Sequence, residues 1–159
     1  MIGKLKRVSV FGGRKIKKNI YDDTVLIGKM LAEEGCLVFC GGGKGVMEAV
    51  SVGVSSMNGT VIGVLKGENT IESNDYLTIP FCTGIGIARN ALLAYNCDVA
   101  IAISGKYGTL SEIAYALQLQ KTVIGYKTWG SVKPVIQAKS PFEVIELLKI
   151  ELNNVDTIS

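Results

Sequence analysis

Short apolar runs rich in β-branched residues alternate along this chain with stretches of helical periodicity, and few folds accept that alternation. Residues 5–11, 36–40, 60–65, 77–81, 98–104 and 122–126 read as strands. Between them, 19–34, 45–57, 86–95 and 108–119 read as helices. Ser140-Pro141 opens a last helix to about residue 152, with Ser at the N-cap and Pro at the first helical position. The stretch 66–76 is polar and reads as a loop. Strands separated by helices imply a parallel sheet with helices on both faces. The near-continuous apolar runs at 8–11 and 99–103 suit strands buried on both sides. The expected fold is therefore a Rossmann-like α/β three-layer sandwich with a mainly parallel sheet. It forms a single domain over residues 1–159, with the default strand order 3-2-1-4-5-6.

The 19 glycines exceed the roughly 11 that average usage gives, and the excess lies where strands end. Gly12 and Gly13 follow the first strand, and Gly41, Gly42, Gly43 and Gly45 the second. Gly84 and Gly86 follow the fourth strand, and Gly105 and Gly108 the fifth. In the default order these loops form one rim at the carboxyl edge of the sheet, centred between strands one and four. Open α/β sheets bind ligands at such an edge. Outward-turned amides and helix N-termini there favour an anion, so a phosphorylated small molecule is expected. The segment after strand one lacks GxGxxG, and strand two ends without the acid that holds a ribose, which argues against NAD. Gly43-Lys44-Gly45 lacks the hydroxyl residue and glycine spacing of a P-loop.

Other classes fall away on composition. The chain has no histidine, which excludes Ser-His and Cys-His catalysis and His-ligated metals, and no metal site is expected. The cysteines at 36, 40, 82 and 97 form no CxxC pair and read as structural thiols. With 17 basic and 14 acidic residues, no basic stripe marks a nucleic-acid platform. There is no apolar run long enough to span a membrane and no signal peptide, so the expected location is cytoplasmic. Hydrophobic content of 48% with 19% charged residues predicts a homodimer or homotetramer. Its interface falls on the helices after strands four and five, whose residues Ala91, Leu92, Ala94, Ile113, Ala116 and Leu117 are apolar on more than one face.

Three motifs carry a family resemblance. The segment from Cys40 to Glu48 resembles the GGGxxGxM motif of the LOG-like superfamily, which holds cytokinin-activating phosphoribohydrolases, "possible lysine decarboxylases" and molybdenum cofactor carriers. Ser104 to Glu112 resembles its PGGxGTxxE motif, and Gly84 to Asn90 is similar to the GxARN segment of the carrier branch. The resemblance implies a Rossmann-like oligomer. In the hydrolase branch it implies a nucleoside 5′-monophosphate whose phosphate rests on Gly105, Tyr107, Gly108 and Thr109, with Arg89 and Glu112 at the N-glycosidic bond. Ser104 and Lys106 stand where the motif has Pro and Gly, and the residues around Arg89 lack the RKxxM pattern. Both departures favour the carrier branch, with molybdenum cofactor or a nucleotide as bound ligand and no cofactor required for chemistry.

Some residues have a plainer explanation. Thr109-x-x-Glu112 fits a capping box, and Arg89 in the first turn of its helix opposes the helix dipole unless an anion or Glu112 balances it. Lys44, Lys106, Arg14 and Lys15 contact phosphate or are simply solvated, and Trp129 reads as packing. Two functions compete most directly: a binding or carrier protein for a phosphorylated nucleotide or pterin, and a nucleoside monophosphate phosphoribohydrolase in which Glu112 activates water or steadies the ribosyl cation. A nucleotide-sensing module is the third.

Overall fold

The apolar runs do become strands: β1 (Arg7–Gly12), β2 (Leu37–Cys40), β3 (Thr60–Leu65), β4 (Ile79–Cys82), β5 (Val99–Ile103), β6 (Thr122–Tyr126) and β7 (Ile136–Ala138). The structure is a computed structural model and describes residues 4–158. Every strand pair is parallel, in the order β4-β3-β2-β1-β5-β6-β7. The helices are α1 (Lys18–Glu33), α2 (Val46–Ser56), α3 (Arg89–Tyr95), α4 (Tyr107–Gln118) and α5 (Pro141–Ile158), with a 3-10 turn at Gly86–Ala88 leading into α3. The Ser140 hydroxyl accepts the Glu143 amide proton at 3.1 Å, so it caps α5 as its sequence announces.

Strand alternation sorts the core into two layers. Val8, Val10, Val38, Ile101 and Ile124 face α1, α2 and α5, packing on Ile27, Leu31, Val50 and Leu148. Phe11, Phe39, Ala100, Ala102 and Val123 face α3 and α4, packing on Leu93, Ile113 and Ala116. The fully buried Ser9 hydroxyl donates to the Leu93 carbonyl at 2.6 Å, which ties α3 to β1.

Two features depart from expectation. β4 does not join β1; it pairs outside β3 at the sheet edge, and β5 is the other neighbour of β1. The default order needs a crossover helix after β3. The segment between β3 and β4 has no helix, so its short connection reaches only the adjacent edge. The switch point therefore lies between β1 and β5. The loops after β3, β2, β1 and β5 share the rim, and the segment after β4 adds Ile87, Arg89 and Asn90. The second departure is β7, three residues pairing with β6, too short to carry a periodic signal. β7 forms a sheet edge, its Ala138 packs in the layer with Val144, Ile145 and Leu148 of α5, and α5 runs on to Ile158, beyond the expected stop.

Candidate functional site

The carboxyl ends of β1, β2, β3 and β5 open into one cavity of about 730 Å³. That size suits a nucleotide-scale ligand. Of the residues expected at the site, Gly12, Gly13, Gly41, Gly43, Arg89, Gly105, Lys106, Gly108, Thr109 and Glu112 line it, together with Arg14 and Lys15. Gly42, Gly45, Tyr107 and Lys44 do not. Gly45 is the N-cap of α2 and lies where any side chain would strike the Gly13 carbonyl oxygen at 2.3 Å. Gly42 packs beneath the rim, and its carbonyl is taken by Asn74. Tyr107 turns outward and meets Trp129 with ring centroids 6.2 Å apart. Lys44 pairs with Glu48 at 3.0 Å.

The loop after β5 follows an unusual backbone path. Ser104 adopts φ +52 and Gly105 φ +91, conformations rare for side-chain-bearing residues. A Cβ on Gly105 would meet the Thr109 hydroxyl at 2.0 Å. α4 then begins at Tyr107 with Lys106 as N-cap, with no side chain capping it and no acid in its first turn. No side chain thus takes up the amide protons of its first residues. This start also removes the capping-box reading: Thr109 is inside the helix, two residues past its first position, and Glu112 is a further turn in. Glu112 lines the cavity instead of closing a cap.

Arg89 and Glu112 are both 7% exposed. Arg89 Nη1 donates to the carbonyls of Gly41, at 2.7 Å, and Val64, and its Nε donates to Asn90 Oδ1 at 2.7 Å. The guanidinium so bridges the ends of β2 and β3 to the start of α3, and those carbonyls balance it where the helix dipole alone would repel it. Nη2 donates to no protein group among the described residues and is not sealed from the cavity. Burial lowers the Arg89 pKa from its ordinary value, and the charge of Glu112 most offsets that. Burial likewise pushes Glu112 up to about 8, against the pull of Arg89. At neutral pH the Glu112 carboxyl is mostly protonated, and the charges at the rim are then chiefly the cations Arg14, Lys15, Lys66, Lys106 and Arg89, with Glu72 opposing.

Several lining residues give no warning in the sequence. Lys66, Gly67, Asn69, Ile71 and Glu72 come from the stretch read as a plain polar loop. What brings that loop to the site is Asn74, 3% exposed, whose Nδ2 donates to the carbonyls of Gly42 and Gly43 and whose backbone N–H donates to Gly42. Asn90 joins the lining and carries the chain of bonds onward, donating to the Ser111 hydroxyl at 3.1 Å, which donates to the Gly108 carbonyl. No group of three or more His, Cys, Asp or Glu side chains able to hold a metal occurs among the described residues. Among them, no helix is long and apolar enough to cross a membrane.

Comparison with known proteins places this geometry. The model of the SLOG cluster4 family matches residues 5–153. An uncharacterised protein of Archaeoglobus fulgidus is 35% identical over 90% of this chain and 91% of its own. A cytokinin riboside 5′-monophosphate phosphoribohydrolase of Arabidopsis thaliana is 32% identical over 69% of this chain, and the match spans only 50% of that enzyme. Among solved structures, the molybdenum cofactor binding protein of Rippkaea orientalis superposes with a TM-score of 0.87 at 33% identity, covering 93% of this chain and 98% of its own. The molybdenum cofactor carrier protein of Chlamydomonas reinhardtii gives 0.87 at 30% identity, over 94% and 99%. The glycine-rimmed cavity thus sits in a chain that belongs to the LOG-like SLOG cluster4 family.

Proposed function

We propose that this chain binds and carries a phosphorylated heterocyclic small molecule, a nucleotide or a pterin of the molybdenum cofactor kind, with its phosphate on the β5–α4 loop. The observation that carries the reading is the uncapped start of α4 opening onto a cavity ringed by cations. Gly105, Gly108 and the Thr109 hydroxyl would meet the phosphate, Lys106, Arg14 and Lys15 would neutralise it, and Arg89 Nη2 would reach the ligand from the β2 side. A protonated Glu112 leaves Glu72 as the carboxylate of the lining that would oppose the phosphate. The solved molybdenum cofactor proteins of similar fold support a carrier.

A second reading, hydrolysis of the N-glycosidic bond of a nucleoside monophosphate, is favoured by the lodging of Arg89 and Glu112 in the same cavity and by the likeness to the plant enzyme. It asks Glu112 to work as a carboxylate, a minor form at neutral pH. One experiment separates the two: melting temperature and adenine release are followed with inorganic phosphate, AMP and a pterin phosphate at millimolar concentration. The carrier reading expects a raised melting temperature and no adenine. No shift with any of the three rejects the phosphate cradle; adenine release that Glu112→Gln abolishes establishes the hydrolase.

The same reading includes a homodimer. On the α3–α4 side, β4 leaves Ile79 and Phe81 48% and 55% exposed, and Tyr95 of α3 is 62% exposed. Apolar surface of that kind marks an interface, and a second copy of the chain would cover it. Light scattering at micromolar concentration should give twice the chain mass; a monomer overturns this part.

A further inference from the structure

The left-handed turn that opens the loop after β5 has a twin. Ile103 and Tyr126 are register partners at the ends of β5 and β6, and the residue after each is left-handed, Ser104 at φ +52 and Lys127 at φ +50. Residues with side chains hold that conformation only where their surroundings fix it. Here they do. The Tyr126 hydroxyl donates to Asp23 Oδ2 of α1 at 2.6 Å, and the Lys127 ammonium pairs with the same oxygen at 3.4 Å. The Ser104 amide donates to the Tyr126 carbonyl at 3.2 Å. The twin turn brings the next two residues, Thr128 and Trp129, against the loop after β5.

Both hold its backbone. The Thr128 hydroxyl donates to the Ser104 carbonyl at 2.5 Å, and the Trp129 indole N–H to the Lys106 carbonyl at 3.2 Å. The Lys106 carbonyl already accepts the Leu110 amide proton at 2.9 Å, so the indole bond is not needed to satisfy it. Its effect is on direction. In a planar trans peptide the N–H points opposite to the C=O, so whatever holds a carbonyl aims the next amide the other way. With the Ser104 carbonyl drawn to Thr128, the Gly105 N–H is turned away from the β6–β7 connection, and no described protein group accepts it. The Lys106 carbonyl, held by Trp129, belongs to the peptide that carries the Tyr107 N–H, the first of α4. Ser104, Gly105 and Lys106 line the cavity, whereas Thr128 and Trp129 do not. Trp129 is itself seated, packing with Val132 against the core layer of α3 and α4.

We infer that Thr128 and Trp129 are positioning residues, which hold the Ser104 and Lys106 carbonyls from behind so that the Gly105 N–H and the first amides of α4 face the ligand's anionic group. Packing alone does not account for them. It asks for the Thr128 methyl and the indole ring, but not for a hydroxyl and an N–H each placed on a loop carbonyl. The inference rests on the phosphate reading proposed above, and goes beyond it by assigning two residues that never touch the ligand.

The test is calorimetry with inorganic phosphate and with AMP, well below the melting temperature. It compares the wild type with Thr128→Val, Thr128→Ser, Trp129→Phe and the double variant Thr128→Val, Trp129→Phe. Valine and phenylalanine keep an apolar side chain and remove the donor, whereas serine keeps the hydroxyl. Each single donor loss should weaken binding about threefold or more and the double variant about tenfold or more, and Thr128→Ser should keep most of the wild-type affinity. In isotope-labelled wild type the Gly105 amide proton should move downfield as phosphate is added, and it should move much less in Thr128→Val. Wild-type affinity in the double variant overturns the positioning role and leaves the phosphate cradle standing. So does a serine variant as weak as the valine one, because the hydroxyl is then not the agent. Should Thr128→Val fail to fold, Trp129→Phe decides: undiminished binding overturns the role, and a loss with an unchanged circular dichroism spectrum supports it. If the wild type binds neither phosphate nor AMP, the cradle fails and the role assigned to these two residues falls with it.

Discussion

Replacing Glu112 with Gln should make the protein more stable at neutral and alkaline pH while changing little in mild acid. The carboxyl is 7% exposed and accepts no hydrogen bond from any described residue, so its charged form has lost water with only Arg89 to compensate. Burial raises its pKa from an ordinary 4.5 to about 8. The folded protein therefore holds a proton that the unfolded chain releases between those values. Linkage sets the sign: the contribution of this group is fully present below pH 4.5, declines as pH rises, and levels off above about 8. Each pH unit in that window costs about 1.4 kcal/mol. Gln is neutral throughout and nearly the same shape. The variant's advantage should therefore grow by about 3 kcal/mol between pH 4.5 and pH 7 and by about 1 kcal/mol more at pH 8. Urea unfolding of both proteins at half-unit steps from pH 4.5 to pH 9 measures the difference directly, and taking the difference cancels every other titrating group. A gap that stays flat within about 0.5 kcal/mol across the range would show that Glu112 titrates as it does in water, and the argument for a neutral acid in the cavity would collapse.

Two substitutions probe neighbouring parts of the site. Arg89→Ala removes three hydrogen bonds and leaves the Gly41 and Val64 carbonyls without that donor, so unfolding by urea should show a loss of about 3 kcal/mol or more, and Arg89→Lys should recover only a fraction because a lysine has no second nitrogen to keep the Nε bond to Asn90. Gly105→Ala should misfold or melt far lower, since its Cβ would meet Thr109 at 2.0 Å at a φ of +91, whereas Gly108→Ala meets nothing within 4 Å; it should melt at or above the wild-type temperature yet bind phosphate more weakly, which calorimetry would detect.

The sheet was legible because buried parallel strands write a plain signal. The runs around Val8–Phe11 and 99–103 are apolar on both faces, and no other element needs that. The rim was legible for a related reason: close loop approaches such as Gly45 to the Gly13 carbonyl tolerate no side chain, and the glycines lie where the strands end. The position of β4 was not legible. Strand order depends on whether a connection crosses the sheet, and a polar stretch without helical period leaves both routes open until Asn74 is seen to pin it over Gly42 and Gly43.

The same distinction explains why Arg89 and Glu112 were found as residues but not as an arrangement. A cation at a helix start advertises that something balances it, and no local pattern says what. Here the balance comes from the carbonyls of Gly41 and Val64, 48 and 25 residues back along the chain, so the arginine that the resemblance sets on the ligand is first a clamp on the sheet edge. Glu112 is ambiguous in a different way. Its meaning depends on where α4 begins, and the capping box would need Thr109 as the N-cap where the helix has Lys106. Starting at Tyr107 turns the carboxyl from a cap into a cavity wall, and that burial in turn sets its protonation. Chemistry at this site is thus decided one step above the motif: the residues are local, but the charge each carries is fixed by strands and loops that the motif does not contain.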